Sequence, residues 1–245
     1  MAKRYEPDVI IANGENATRG FGINYKDCLR LREAGVDVVT LGNHWHNRSS
    51  IDGFIEEFDW LIRPCNVKQD EYGRGYITLD VNGVPLTVVN VLGTAFMKEE
   101  VYSPISCVTD VLLEAGEGIV IVDYHGESTS EKATFAYYFD GQVSAVIGTH
   151  THVQTNDARV LPKGTAFISD AGMCGANESV IGFEPHSVVR RILYGDPNPM
   201  QISEEGDRCI NAVLLEVDEE TFLATSIRPL YWINGKERVY GETDH

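Results

Sequence analysis

The segment Val143-Ser-Ala-Val-Ile-Gly-Thr-His-Thr-His152 runs a short β-branched stretch into two histidines one residue apart. Short apolar runs closed by glycine read as buried strands. The same pattern recurs along the chain. Asp8–Ala12 leads into Asn13-Gly-Glu-Asn16, and Val36–Leu41 into Gly42-Asn-His44. Ile119–Asp123 leads into Tyr124-His-Gly-Glu127, and Thr165–Ser169 into Asp170-Ala-Gly172. Helical stretches are expected near Tyr25–Ala34, stopped by Gly35, and over Ser130–Phe139. Asn82-Gly83 predicts a hairpin between Tyr76–Val81 and Val84–Val91. A last hairpin is expected from Ala212–Val217 and Phe222–Ile227. Nearly continuous apolar strands alternating with helices imply an α/β fold whose sheets are covered on both faces, in one domain over residues 1–245.

In such architectures ligands sit beyond the carboxyl ends of the strands. Five of the seven histidines (His44, His46, His125, His150 and His152) fall at those ends. On an extended backbone His150 and His152 point to one side and form a chelating pair for a first-row metal, Gly148 allowing a tight turn before them. The alternative is a pair of surface histidines in a loop. Glu15 offers a carboxylate that can bridge cations, and Asn16 an amide oxygen; the alternative is a capped turn opened by Gly14. Asn43 can ligate while His44 gives a proton to a leaving oxygen. His125 is a further imidazole, or a hydrogen-bonded core histidine. His46 has no clear part, and His186 and His245 are assigned none.

Other chemistries lack their signatures. Gly20-Phe-Gly22 is too short for a dinucleotide fingerprint, and no phosphate-binding loop or serine nucleophile elbow is present. Cys174 reads as a small buried residue. The five cysteines (Cys28, Cys65, Cys107, Cys174 and Cys209) are scattered, which points to reduced thiols in a cytoplasm and away from a disulfide framework or zinc ribbon. No apolar run approaches the roughly 20 residues needed to span a bilayer, and residues Met1–Asp8 lack the apolar segment expected of a secretory signal. A formal net charge of −17 excludes tight binding of long nucleic acid but not a small anionic substrate, because bound cations reverse the local field.

Taken in order, Asn13-Gly-Glu-Asn16, Leu41-Gly-Asn-His44, Leu61-Ile-Arg-Pro64, Asp123-Tyr-His-Gly-Glu-Ser-Thr-Ser-Glu-Lys132 and Gly148-Thr-His-Thr-His-Val-Gln-Thr155 resemble the YmdB-like branch of the calcineurin-type metallophosphoesterases. That bacterial family is associated with 2′,3′-cyclic nucleotide phosphodiesterase activity. The resemblance runs from about Pro7 to Ile192. It implies a four-layer α/β/β/α sandwich around two iron or manganese ions. Glu15 would bridge them, with Asn43, His125 and His150 on one ion and Asn16 and His152 on the other; His44 would be the general acid. The implied reaction is attack of a metal-held hydroxide on a small phosphodiester, and the implied state a homo-oligomer.

Two departures bear on this. Family members open with a strand ending in Gly-Asp, whose aspartate ligates the second metal. Here Lys3-Arg-Tyr-Glu-Pro7 resembles the tail of the helix after that strand, so the inner strand and its ligand are expected to be absent from these residues or replaced by another segment. One metal site is then expected to be the better filled, and a neighbouring strand to have an unpaired edge. Trp45-His46-Asn47 also replaces the family's Thr-Trp-Asp, removing a carboxylate near His44. The alternative function is a catalytically weakened member that binds nucleotides or regulates; a metal-dependent peptidase lacks its motif.

Overall fold

Continuously buried β-branched runs, interrupted by glycine and by Ser-Pro or Glu-Pro helix starts, produce the element order. The computed structural model describes residues 1–68 and 72–240; His245 lies outside them. Its elements are α1 (Ala2–Tyr5), β1 (Ile11–Asn13), α2 (Tyr25–Glu33), β2 (Val38–Thr40), β3 (Tyr76–Val81), β4 (Val84–Leu92), α3 (Pro104–Ala115), β5 (Ile119–His125), α4 (Thr129–Tyr138), β6 (Ala145–Thr149), β7 (Arg159–Val160), β8 (Ala166–Ile168), β9 (Cys174–Ala176), α5 (Pro185–Tyr194), β10 (Arg208–Val217), β11 (Ala224–Ile233) and β12 (Lys236–Arg238).

The main sheet has the order β3-β4-β5-β6-β8-β7. Its central strands β4, β5, β6 and β8 run parallel, and β3 and β7 close the edges antiparallel. Asn82 and Gly83 take φ of 55° and 90°, the left-handed pair that a two-residue hairpin between β3 and β4 requires. On one face, Val89, Val91, Val120, Val122 and Val146 pack under α3 and α4 through Val108, Val111, Phe135 and Phe139. The opposite face, carrying Val88, Ile119, Ile121 and Ile147, meets β1, β2, β10 and β11 through Ile11, Val38, Leu215 and Ile227. α2 then covers the outer side of β1 and β2, with Cys28 and Leu31 against Ile10, Ala12 and Val39. The result is the expected four-layer sandwich.

β1 and β2 form a parallel pair, and β2 meets Leu61 on its other side. Among the described residues no strand pairs with the outer edge of β1. The last hairpin is longer than expected, as β10 and β11 pair from Cys209–Ile233 to Val217–Ala224, with β9 and β12 at the edges.

The cysteines correct the sequence reading. Cys65 and Cys107 form a disulfide, their Cα atoms 6.5 Å apart across 42 residues of sequence, because α3 lies on the segment preceding β3. Cys174 is an exposed residue, not a buried one; it opens β9 with its thiol turned to the carbonyl of Asn211. Although the residue is exposed, its sulfur faces inward, and desolvation there pushes the thiol up to about 11. No described helix is long and apolar enough to cross a membrane.

Candidate metal centre

The parallel strands deliver their following residues to one end of the sandwich. Along β5 the even positions Val120, Val122 and Tyr124 pack beneath the helices, so Asp123 and His125 share the inner face with Ile119 and Ile121. By the same alternation Asn13, Thr40 and Thr149 are the last inner-facing positions of β1, β2 and β6. The loops leaving these strands carry the remaining candidates.

His125 is the centre of the cluster. Its Nε2 lies 3.0 Å from Glu15 Oε1, 3.0 Å from Asn43 Oδ1 and 3.1 Å from His150 Nδ1. Glu15 and His125 are only 2% and 1% exposed, so water cannot replace these contacts. Ligand atoms of Glu15, His125 and His150 all lie within 4.8 Å of one another. Four lone-pair-bearing atoms from four chain segments thus converge on one point, a donor set of carboxylate, amide oxygen and two imidazoles that suits a first-row transition metal. Gly42 makes the approach possible: a Cβ there would sit 2.3 Å from Glu15 Oε2 and 2.5 Å from His125 Cε1 and Nε2.

A second, thinner group adjoins it. Asn16 Nδ2 is 3.1 Å from His152 Nε2, and Asn16 Oδ1 is 2.8 Å from His44 Nδ1. The His44 backbone N–H donates to Glu15 Oε2 at 3.0 Å, fixing the loop that carries it. The Phe21 ring lies against His44 with centroids 5.1 Å apart. Asn16 therefore orients His44 where the carboxylate after Gly-Asn-His is absent.

The charges follow from burial and proximity. Desolvation works to raise the Glu15 carboxyl, but the His125 ring outweighs it and brings Glu15 down to about 2. Burial works to lower His125, and the Glu15 carboxylate reverses the sign and raises it. His44 and His150 are both lowered by burial, with the neighbouring His125 adding to the effect. The Asp123 carboxyl is raised by burial against the pull of His125 and its hydroxyl and amide donors.

The expected extended geometry of His150 and His152 is not found. Both take left-handed φ, 106° and 67°, so the two rings diverge, His150 toward Glu15 and His125 and His152 toward Asn16. Their rings therefore face different partners and are not arranged as one chelating pair. Such backbone costs energy for a residue with a Cβ and needs support. Lys132 Nζ donates to the Thr149 carbonyl at 2.8 Å and lies 3.4 Å from Asp170 Oδ2, which also accepts from the Thr151 N–H at 2.8 Å. Gly148 has a different purpose from that anticipated. A Cβ there would fall 1.8 Å from the Ser169 carbonyl oxygen, so close strand packing, not a turn, demands glycine.

The other histidines stand apart. His46 lies tilted against the Trp45 ring and pairs with Asp52 at 2.8 Å, and His186 lies in the first turn of α5. Sequence reasoning missed Glu127, whose carboxylate reaches His150 Nε2 at 3.3 Å, and the supporting group of Asn13, Thr40, Asp123 and Thr149. A signal existed for Asp123: a carboxylate inside an apolar run, in phase with His125.

Comparison with known proteins places these motifs. A family model described as YmdB-like protein matches residues 1–230. A 2′,3′-cyclic-nucleotide 2′-phosphodiesterase of Bacillus subtilis (strain 168) is 35% identical over all of this chain and 89% of its own length. The crystal structure of a hypothetical protein from Thermus thermophilus is 40% identical with a TM-score of 0.86, covering 94% of this chain and 89% of that one. That of a novel phosphatase from Mycoplasma pneumoniae is 33% identical with a TM-score of 0.88, covering 95% and 84%.

Proposed function

We propose, for a chain that belongs to the YmdB-like family and is a hydrolase of the phosphoesterase type, a metal-dependent phosphodiesterase acting on small phosphodiesters, 2′,3′-cyclic nucleotides first among them. The observation that carries the metal dependence is the convergence of Glu15, Asn43 and His150 on His125 Nε2 within 3.1 Å.

In this reading Glu15, Asn43, His125 and His150 would hold one cation, and Asn16 and His152, with Glu15 beside them, would hold a second. A pair of transition metals supplies Lewis acidity at the phosphoryl oxygens and lowers the pKa of water. Iron and manganese suit these donors. The first group offers four donors and the second three, so the first would bind its cation more tightly. His44, steadied by Asn16 and Phe21, gives a proton to the departing 2′ oxygen as water adds to phosphorus and the P–O2′ bond breaks, leaving a 3′-phosphate. The cations also offset a net charge of −17 that would otherwise repel the substrate. We place the protein in the cytoplasm, although the Cys65–Cys107 bridge is unusual for a reducing compartment.

Turnover of 2′,3′-cyclic AMP and of bis-p-nitrophenyl phosphate should require added manganese and vanish in His125→Ala and His150→Ala. His44→Ala should impair the cyclic nucleotide far more than the p-nitrophenyl ester, whose leaving group needs no proton. Equal losses on both substrates would remove His44 from that role. The thinner second group also favours a weakened, nucleotide-binding member as the alternative; nucleotide binding without turnover in metal-loaded protein would select it.

A further inference from the structure

We propose that Asp123 is the positioning residue of this centre, a buried carboxylate that ties together the four strand ends bearing the ligands and, through the Thr149 hydroxyl, holds the His125 ring by its Nδ1–H. The inference rests on the metal reading above and concerns what sets the ligands in place.

Asp123 is buried between the main sheet and the β1–β2 pair. Its Oδ2 accepts from Asn13 Nδ2 at 3.0 Å, at the end of β1, and from Thr40 Oγ1 at 2.5 Å, at the end of β2. Its Oδ1 accepts from Thr149 Oγ1 at 2.6 Å, at the end of β6. Asp123 itself sits on β5, one pleat below His125. The three donors therefore come from the strands that lead to Glu15 and Asn16, to Asn43 and His44, and to His150 and His152. The three donors, with the nearby His125 ring and Lys132 charge, compensate its burial.

The direction of one link follows by counting protons. Thr149 has a single hydroxyl proton and gives it to Asp123, so the 2.9 Å contact between His125 Nδ1 and Thr149 Oγ1 is made by Nδ1–H donating. That leaves Nε2 as the ring atom facing Glu15, Asn43 and His150. Imidazole ligands are commonly fixed by a carboxylate at the far nitrogen; here a hydroxyl stands between the two. Asn13 extends the web by donating also to the Leu41 carbonyl at 3.0 Å, and Asn90 links β4 to the Leu41 N–H.

The test uses the full chain with Thr149→Val, Thr149→Ser and Asp123→Asn. In metal-free protein labelled with ¹⁵N-histidine, NMR should show a slowly exchanging His125 Nδ1–H in wild type and Thr149→Ser that is lost in Thr149→Val. Manganese titration by calorimetry should show affinity weakened about 10- to 100-fold in Thr149→Val and restored in Thr149→Ser. Asp123→Asn should lose at least as much affinity as Thr149→Val. A protected Nδ1–H that survives in Thr149→Val, or manganese affinity in that variant within twofold of wild type, overturns the proposal. Wild type that binds no manganese sinks the metal reading instead, and the proton signal still decides the relay.

Discussion

Gly42→Ala separates ligand geometry from ligand chemistry, because it removes no donor. Gly42 does not occupy left-handed φ, so alanine fits its backbone and the effect is steric. The added methyl would meet Glu15 Oε2 at 2.3 Å and the His125 ring at 2.5 Å, about 1 Å inside the 3.4 Å at which ordinary contact begins. Neither neighbour has solvent to retreat into. Functional groups tolerate displacements of about 0.5 Å, and misplacement by about 1 Å costs on the order of 100-fold in rate. We therefore expect kcat/KM for 2′,3′-cyclic AMP to fall on the order of 100-fold, about 2.7 kcal/mol in transition-state free energy. Manganese affinity should fall in parallel. Gly53→Ala is the control, since nothing lies within 4 Å of a Cβ there and its φ is ordinary. Steady-state rates and calorimetric titration, with thermal melts of the same samples, make the measurement. Should folded Gly42→Ala bind manganese and turn over within about twofold of Gly53→Ala, the compact cluster around His125 is refuted.

Lys132→Met should leave Asp170 buried without its cation and lower unfolding free energy by about 3–5 kcal/mol, read from urea midpoints; an unchanged midpoint would show that the loop of residues 149–152 does not depend on this pair. Gly83→Ala puts a Cβ on a residue at φ 90° with open space around it, so backbone strain alone should cost about 1–2 kcal/mol in the same assay. Asp157 gives a pH signature. Its partial burial raises the carboxyl, but Ser169 and Thr155 hydroxyls at 2.5 and 2.6 Å outweigh that and hold it below its ordinary value. A depressed folded-state pKa stabilises above the unfolded value of about 3.9 and loses that contribution as pH falls through the folded one. Wild type should therefore lose stability across that acid range more steeply than Asp157→Asn, and superimposable profiles would contradict it.

Local rules made most of the scaffold readable. β-branched runs fixed where strands lie, because a pleated half-buried surface selects those side chains whatever the topology. Asn82-Gly83 set the hairpin, since few residue pairs accept its left-handed backbone. Two helices, α3 and α5, escaped notice although Ser103-Pro104 and Glu184-Pro185 mark their starts and Gly116 and Gly195 their ends. Glu15, Asn16, Asn43, His44, His125, His150 and His152 could be selected as candidates because they follow strands, and parallel strands place their ends together.

What the chain alone could not decide depends on distances between segments far apart in sequence. The left-handed backbone at His150 and His152 lies between residues that Lys132 and Asp170 hold, and no HxH spacing predicts it. Scattered cysteines gave no hint that docking of α3 would bring Cys107 to Cys65. The roles of Gly42 and Gly148 appear only when the atoms opposite them are known. The sequence determined which residues reach the end of the sandwich, through alternation along each strand. Tertiary packing decided which donors meet at His125 and that Asp123 stands beneath them, because burial and proximity belong to the assembled layers and not to any one segment.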